Sequence, residues 1–168
     1  RIAAGAAGDG APVAFRVVEA PPPFVLEHPA PLALDEGGKI ALVRRANDAA
    51  RACDPRVHEV GVTLADSSKS FVGANSDGLW ADDRQYLTRL GVSALALEGD
   101  QRQEGFAAGG GCVEAGYFES ARTPEAIARE AADTAITLLA AREPEAGAYP
   151  VVVSPGWGGV MVHECFGH

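Results

Sequence analysis

The sequence predicts an α+β fold: an antiparallel β meander of about four strands, with two helices packed on one face of the sheet. Two segments, Asp35–Cys53 and Thr123–Ala141, combine helix start signals with apolar residues at helical spacing. Between them, Val57–Tyr117 alternates apolar and polar residues and is broken by turn sequences, as antiparallel strands are. The chain then ends in a short predicted strand, Tyr149–Val153, and the start of a motif helix.

Composition describes an acidic, ordered globular chain. It has 168 residues, 47% of them hydrophobic, and a formal net charge of −9, which suits one packed core. An acidic surface disfavours contact with a phosphate backbone, so we expect no direct nucleic-acid binding. No apolar run is long enough to span a bilayer, so we expect no membrane insertion. The three cysteines, Cys53, Cys112 and Cys165, do not resemble a disulfide framework, which favours a reducing cytoplasm.

The chain divides into three predicted segments. Residues 1–34 are rich in Ala, Gly and Pro and are expected to form a connecting arm, because Pro21–Pro23 imposes an extended path. Residues 35–148 form the α+β body. Residues 149–168 contain the last strand and the start of the motif helix. We expect a fragment truncated at both ends, since no initiator Met precedes Arg1 and the chain stops inside a motif.

The two long helices have clear local start signals. Asp35 is a candidate N-cap, because its carboxylate can accept a hydrogen bond from a free N–H of the first turn. Asp54 and Pro55 end that helix. Thr123 is the second candidate N-cap, and Pro124 suits the first helical position because its missing N–H would be unpaired there in any case.

The strands are predicted from alternation and turn chemistry. Val57–Leu64 alternates, Ala65–Lys69 is predicted to turn, and Ser70–Ala74 is predicted to run back. Asn75–Gly78 is a second and stronger turn signal. Leu79–Leu97 is predicted to be one long strand or a bulged pair.

The glycine-rich segment Gly105–Gly111 resembles a nucleotide loop only superficially. It lacks the Lys-Ser/Thr of a phosphate-binding loop and does not open a helix. We therefore predict a flexible bulge or mobile hairpin tip. The alternative is that a peptide backbone passes close to these glycines.

A candidate metal site lies at the end of the chain, in the motif His163-Glu164-Cys165-Phe166-Gly167-His168. Neutral imidazoles bind zinc, and a neighbouring carboxylate can take a proton from a metal-bound water. Two histidines five residues apart would lie roughly 140° apart around a regular helix. We therefore expect a widened, π-type turn, eased by Gly167. The alternative is a chance occurrence of the motif on a buried helix.

The run Pro155–Val160, two more apolar residues and HECFGH together resemble the region of the HExxxH motif in the TldD/PmbA family, zinc peptidases also known as modulators of DNA gyrase. The resemblance extends over about residues 35 to 168 and is to the TldD-type subunit, which has the motif. It implies zinc on His163 and His168, Glu164 as the general base, and a third ligand, a cysteine, beyond this chain. It also implies unfolded or short peptides as substrates and a homo- or heterodimer with a family subunit. On this basis the chain alone should bind zinc weakly and be inactive.

Other candidate ligands are weaker. Cys165 lies inside the motif but is predicted to pack, and Cys112, His28 and His58 are predicted to be structural or exposed. A different class of function also stays open. The chain would then be a non-catalytic domain that binds peptides or assembles subunits.

Overall fold

A computed structural model describes residues 16–17, 34–156 and 158–168, and it confirms the predicted α+β class. Three antiparallel strands and one short parallel strand form a single sheet. In chain order the elements are β1 (Arg16–Val17), α1 (Glu36–Cys53), β2 (Val57–Ala74), β3 (Leu79–Glu98), β4 (Gln101–Gly111), α2 (Tyr117–Ser120), α3 (Pro124–Leu139) and α4 (Gly158–Phe166). None of the helices in the described ranges is long and apolar enough to cross a membrane.

Both long helices begin where their caps predict. The Asp35 Oδ1 atom accepts a hydrogen bond from the Gly38 N–H at 2.7 Å, and the Thr123 hydroxyl oxygen accepts one from the Ala126 N–H at 3.2 Å. Helix α3 ends at Leu139, two residues before the predicted end. Near this end, the Leu138 side chain is 37% exposed.

Strand β3 is the centre of the sheet. It pairs antiparallel with β2 on one edge, from Val57 opposite Ala96 to Ala74 opposite Trp80. On its other edge it pairs antiparallel with β4 and, at Leu79 and Trp80, parallel with β1. The Asn75–Gly78 turn is confirmed: the Asn75 side-chain oxygen accepts hydrogen bonds from two backbone N–H groups of this turn region.

The predicted turn at Ala65–Lys69 is wrong. Strand β2 continues through these residues, pairing from Ala65 opposite Arg89 to Lys69 opposite Gln85. Polar side chains are tolerated there because this part of β2 is exposed and β3 supplies its backbone hydrogen bonds. The fourth strand is instead β1, which lies within the predicted arm. Apart from Arg16, Val17 and Leu34, that arm lies outside the described residues.

The core lies between one face of the sheet and helices α1 and α3. Alternate residues of β3 are fully buried on this face, which is the period expected of a strand with one covered side. Helix α3 contributes a nearly continuous buried stripe because its alanines allow close packing. The buried residues of these two elements include Leu90, Val92, Ala94 and Ala96 of β3, and Ile127, Ala128, Ala131, Ala132, Ala135 and Leu139 of α3.

The glycine-rich segment is a strand, not a bulge or mobile hairpin tip. A Cβ atom on Gly105 would lie 2.1 Å from the carbonyl oxygen of Ala131 and 2.6 Å from the backbone nitrogen of Ala135. The backbone that passes close to β4 is therefore that of α3. At Gly109 the nearest atoms belong to the Arg122 and Ile127 side chains, at 2.6 and 2.9 Å. These glycines position a helix, which explains why they lack the residues of a nucleotide loop.

The segment Tyr149–Val153 differs from the prediction, since it forms no strand. Its valines are exposed, and Val152 is 98% exposed. A strand needs a partner edge for its backbone groups, and this segment pairs with no strand of the described sheet. The apolar pattern therefore indicates a segment that could form a β-strand, but it does not specify the strand with which the segment would pair.

Candidate metal centre

The motif helix α4 starts from a tight turn. Gly156 has a φ of 95°, a left-handed conformation that favours glycine, and its carbonyl accepts a hydrogen bond from the Gly159 N–H at 2.9 Å. A Cβ atom on Gly158 would lie 2.4 Å from Cγ1 of Val153. No residue of α4 is buried, so local turn chemistry, more than core packing, sets where the helix begins.

The two histidines come together because the helix ends between them. Helix α4 stops at Phe166, and the Gly167 N–H donates to the His163 carbonyl oxygen at 2.7 Å, which is an ordinary i to i−4 bond. His168 then follows outside the helix. The imidazole centroids are 4.6 Å apart, with the rings inclined at 72°. The expected widened π-type turn is therefore wrong: leaving the helix achieves the same approach.

Glu164 completes the cluster. One ligand atom from each of His163, Glu164 and His168 lies within 4.8 Å of the other two, and all three residues are exposed. Two nitrogen atoms bound to one zinc ion lie at most about 4.2 Å apart, since each Zn–N bond is about 2.1 Å. Small rotations of these exposed side chains reach that distance. The two imidazoles are donors that suit zinc, and the carboxylate beside them suits a general base.

The other candidate ligands stay apart from this cluster. Within the described ranges, no further His, Cys, Asp or Glu joins the three residues. The prediction that Cys165 packs is wrong, because it is an exposed free thiol. Cys112 is also an exposed free thiol, and His58 is exposed on β2. His28 lies outside the described residues. Two imidazoles are fewer than the three protein ligands usual for catalytic zinc, so this pair alone would leave such a site one ligand short.

A broad surface groove lies away from the histidine motif. This concavity of about 540 Å³ is bordered by residues of all three long strands and by Tyr117. Its lining contains no histidine, cysteine or carboxylate, so it offers no ligand for a metal. The lining residues are Ala65, Ser67, Leu87, Thr88, Arg89, Ala108, Gly109, Gly110, Gly111 and Tyr117.

Comparison with known proteins identifies the family. Residues 29–139 match the model of the PmbA/TldA metallopeptidase central domain. The chain belongs to the PmbA/TldD metallopeptidase family. This match covers the helix–sheet–helix body and ends before the histidine motif.

Individual relatives agree with this assignment. The chain is 32% identical to a metalloprotease TldD homologue of Haemophilus influenzae over 161 residues, which is 94% of this chain and 33% of the relative. It is also 32% identical to the metalloprotease TldD homologue of Buchnera aphidicola from Acyrthosiphon pisum over 136 residues, covering 77% of this chain and 28% of that protein. The chain thus spans about a third or less of these PmbA/TldD relatives.

A solved structure shares the fold. A Thermotoga maritima protein, described as a proposed modulator of a DNA gyrase, superposes with a TM-score of 0.59 at 23% identity. The superposition covers 68% of this chain and 25% of that one. At this identity the likeness shows the fold alone.

Proposed function

We propose that this chain is part of a TldD-type zinc metallopeptidase that hydrolyses peptide bonds. The observation that carries the proposal is the convergence of His163, Glu164 and His168, whose ligand atoms lie within 4.8 Å of one another. Family membership supports a metallopeptidase, and the donor set supports zinc.

In this proposal His163 and His168 hold the zinc ion through neutral imidazole nitrogens. A bound zinc ion would supply Lewis-acid activation of a water molecule. The Glu164 carboxylate would be the general base for that water and would return the proton to the leaving amine. The position of Glu164 next to His163 in α4 keeps its carboxylate beside the histidine pair.

The third zinc ligand is proposed to lie outside this chain. The two histidines leave the site one protein ligand short, and the chain covers only 28% to 33% of its TldD relatives. We therefore expect the isolated chain to bind zinc weakly and to be inactive. Tight stoichiometric zinc in the isolated chain, measured by metal analysis, would contradict this expectation.

Glu164→Gln in the natural full-length polypeptide tests the role of the base. The substitution keeps the shape of the side chain but removes the proton acceptor, so zinc content should be unchanged while peptide cleavage is lost. Glu143→Gln, an exposed change outside α4, is the matched control and should cleave normally. Unchanged turnover in Glu164→Gln would overturn the assigned role.

We propose unfolded or short peptides as the substrates, bound in an extended conformation, and a homo- or heterodimer of family subunits in the cytoplasm as the working form. An extended peptide can add to the edge of a sheet through its backbone groups. Light scattering of the full-length protein, alone and with a second family subunit, tests the dimer.

A second candidate is a non-catalytic domain that binds peptides or assembles subunits. The face of the sheet opposite the helices favours it, since Phe106 is 57% exposed there and a groove of about 330 Å³ runs over small residues, including Gly61, Gly91 and Ser93. Peptide binding that persists after a chelator removes metal would favour this candidate. Binding that requires zinc would favour the peptidase.

A further inference from the structure

We propose that Gly167 is a positioning residue of the candidate metal centre, because its missing side chain leaves room for the His163 imidazole beside His168. The inference rests on the proposed zinc function. A Cβ atom on Gly167 would lie 2.7 Å from the His163 carbonyl oxygen, 2.8 Å from His163 Nδ1 and 3.3 Å from its Cε1. Real Cβ atoms essentially never come this close to another heavy atom, so any side chain at residue 167 forces a rearrangement.

The need for glycine here is one of space and not of backbone conformation. The glycines with a left-handed φ in the described ranges are Gly78, Gly99, Gly110, Gly111 and Gly156, and Gly167 is not among them. In addition, alanine has a higher helix propensity than glycine. Without the clash, Gly167→Ala would leave the stability of this helix end unchanged or raise it slightly. The clash makes the substitution unfavourable instead.

The two close contacts differ in how they can respond. The His163 carbonyl oxygen is held by the 2.7 Å hydrogen bond from the Gly167 N–H, so relief of this contact loosens the exposed last turn of the helix and shifts His168, which follows it. The His163 imidazole is exposed and is free to rotate. A methyl group on residue 167 therefore turns the ring away from its position 4.6 Å from His168. The histidine pair separates whichever ring nitrogen binds the ion.

Cobalt binding to the full-length polypeptide tests this inference. The metal-free protein is titrated with Co²⁺, which gives visible absorption bands whose position and intensity depend on the number and geometry of its ligands. We expect Gly167→Ala to bind Co²⁺ at least about tenfold more weakly, the lower end of the effect of residues that orient metal ligands, with altered bands. Gly159→Ala is the matched control. It lies in the same helix, where an added Cβ atom would have nothing within 4 Å, and should keep wild-type affinity and bands.

Thermal unfolding separates positioning from a general loss of stability. Without metal, both variants should unfold at the wild-type temperature, because no residue of α4 is buried. With Co²⁺, the rise in unfolding temperature that a bound ligand produces should shrink in Gly167→Ala alone. Wild-type affinity and bands in Gly167→Ala would overturn the inference, as would an equal drop in unfolding temperature with and without metal. If the wild-type protein takes up no Co²⁺, the proposed zinc function itself fails.

Discussion

Arg45 of α1 donates two hydrogen bonds to the carboxylate of Glu125 in the first turn of α3, from Nε at 2.7 Å and from Nη2 at 3.0 Å. A third bond runs from its Nη1 to Glu119 of α2 at 2.6 Å. One guanidinium group thus joins three helices above the sheet. Paired parallel bonds of this kind are stronger and more specific than a single surface contact.

Removing this guanidinium should destabilise the fold modestly. Both side chains of the Arg45–Glu125 pair are more than a third exposed, so water screens the interaction and we expect Arg45→Ala to lower the free energy of unfolding by about 1 kcal/mol. Urea denaturation followed by circular dichroism measures this change. Arg44→Ala, at the exposed neighbouring position, should fall within about 0.5 kcal/mol of wild type. Equal losses in the two variants would contradict a specific role for Arg45.

The same pair predicts a pH dependence of stability. The hydrogen bonds from Arg45 hold the pKa of Glu125 below its ordinary value of 4.5. A carboxylate with a depressed folded-state pKa contributes stability that is fully present above its unfolded pKa and is lost as pH falls through the folded value. The free energy of unfolding should therefore decrease below about pH 4.5, and it should decrease less steeply in Glu125→Gln. If the wild-type protein and Glu125→Gln showed the same dependence of stability on pH, Glu125 would not be the cause of the loss at low pH.

Gly105→Ala should be strongly destabilising. The added Cβ atom would meet the Ala131 carbonyl oxygen at 2.1 Å, and because this is helix backbone, α3 must move off β4. We expect a loss of about 3 kcal/mol, at the upper end of ordinary overpacking effects. A Cβ atom added by Gly73→Ala in β2 would have nothing within 4 Å, so this control should change stability by less than about 0.5 kcal/mol. Comparable losses at both positions would contradict close packing of α3 on β4.

Loss of the first helix cap should also be measurable. Asp35 accepts a 2.7 Å hydrogen bond from the Gly38 N–H, and Asp35→Ala leaves that donor to water, at a cost of about 1 kcal/mol. Asp48→Ala changes an exposed position inside the same helix and should be neutral or slightly stabilising, since alanine favours helix. Thermal denaturation of the two variants makes the comparison. A stable Asp35→Ala protein would mean that core packing alone fixes the start of α1.

Features decided by neighbouring residues were predictable from the sequence. The Asp35 and Thr123 caps and the Asn75–Gly78 turn depend on side chains within four residues, and all three are observed. Features decided by a distant partner were not. Strand β2 runs through Ala65–Lys69 because β3 lies beside it, and alternation within a strand carries no information about that partner.

The candidate site shows the same division. The identities of His163, Glu164 and His168 follow from the sequence, because imidazole and carboxylate chemistry does not depend on the fold. Their spacing is compatible both with a widened helix and with a helix that stops, and it favours neither. The structure distinguishes the two, because the Gly167 N–H bonds to the His163 carbonyl oxygen at the ordinary helical spacing and the helix ends at Phe166.

The long β2–β3 hairpin has a consequence for the order in which the fold assembles. A four-residue turn joins its strands, so their pairing requires only a short loop to close. Arg45 and Glu125, in contrast, are 80 residues apart, and bringing them together costs more chain entropy. We therefore expect the hairpin to form early and to act as the template on which the two helices dock, with the contact between α1 and α3 among the last to form.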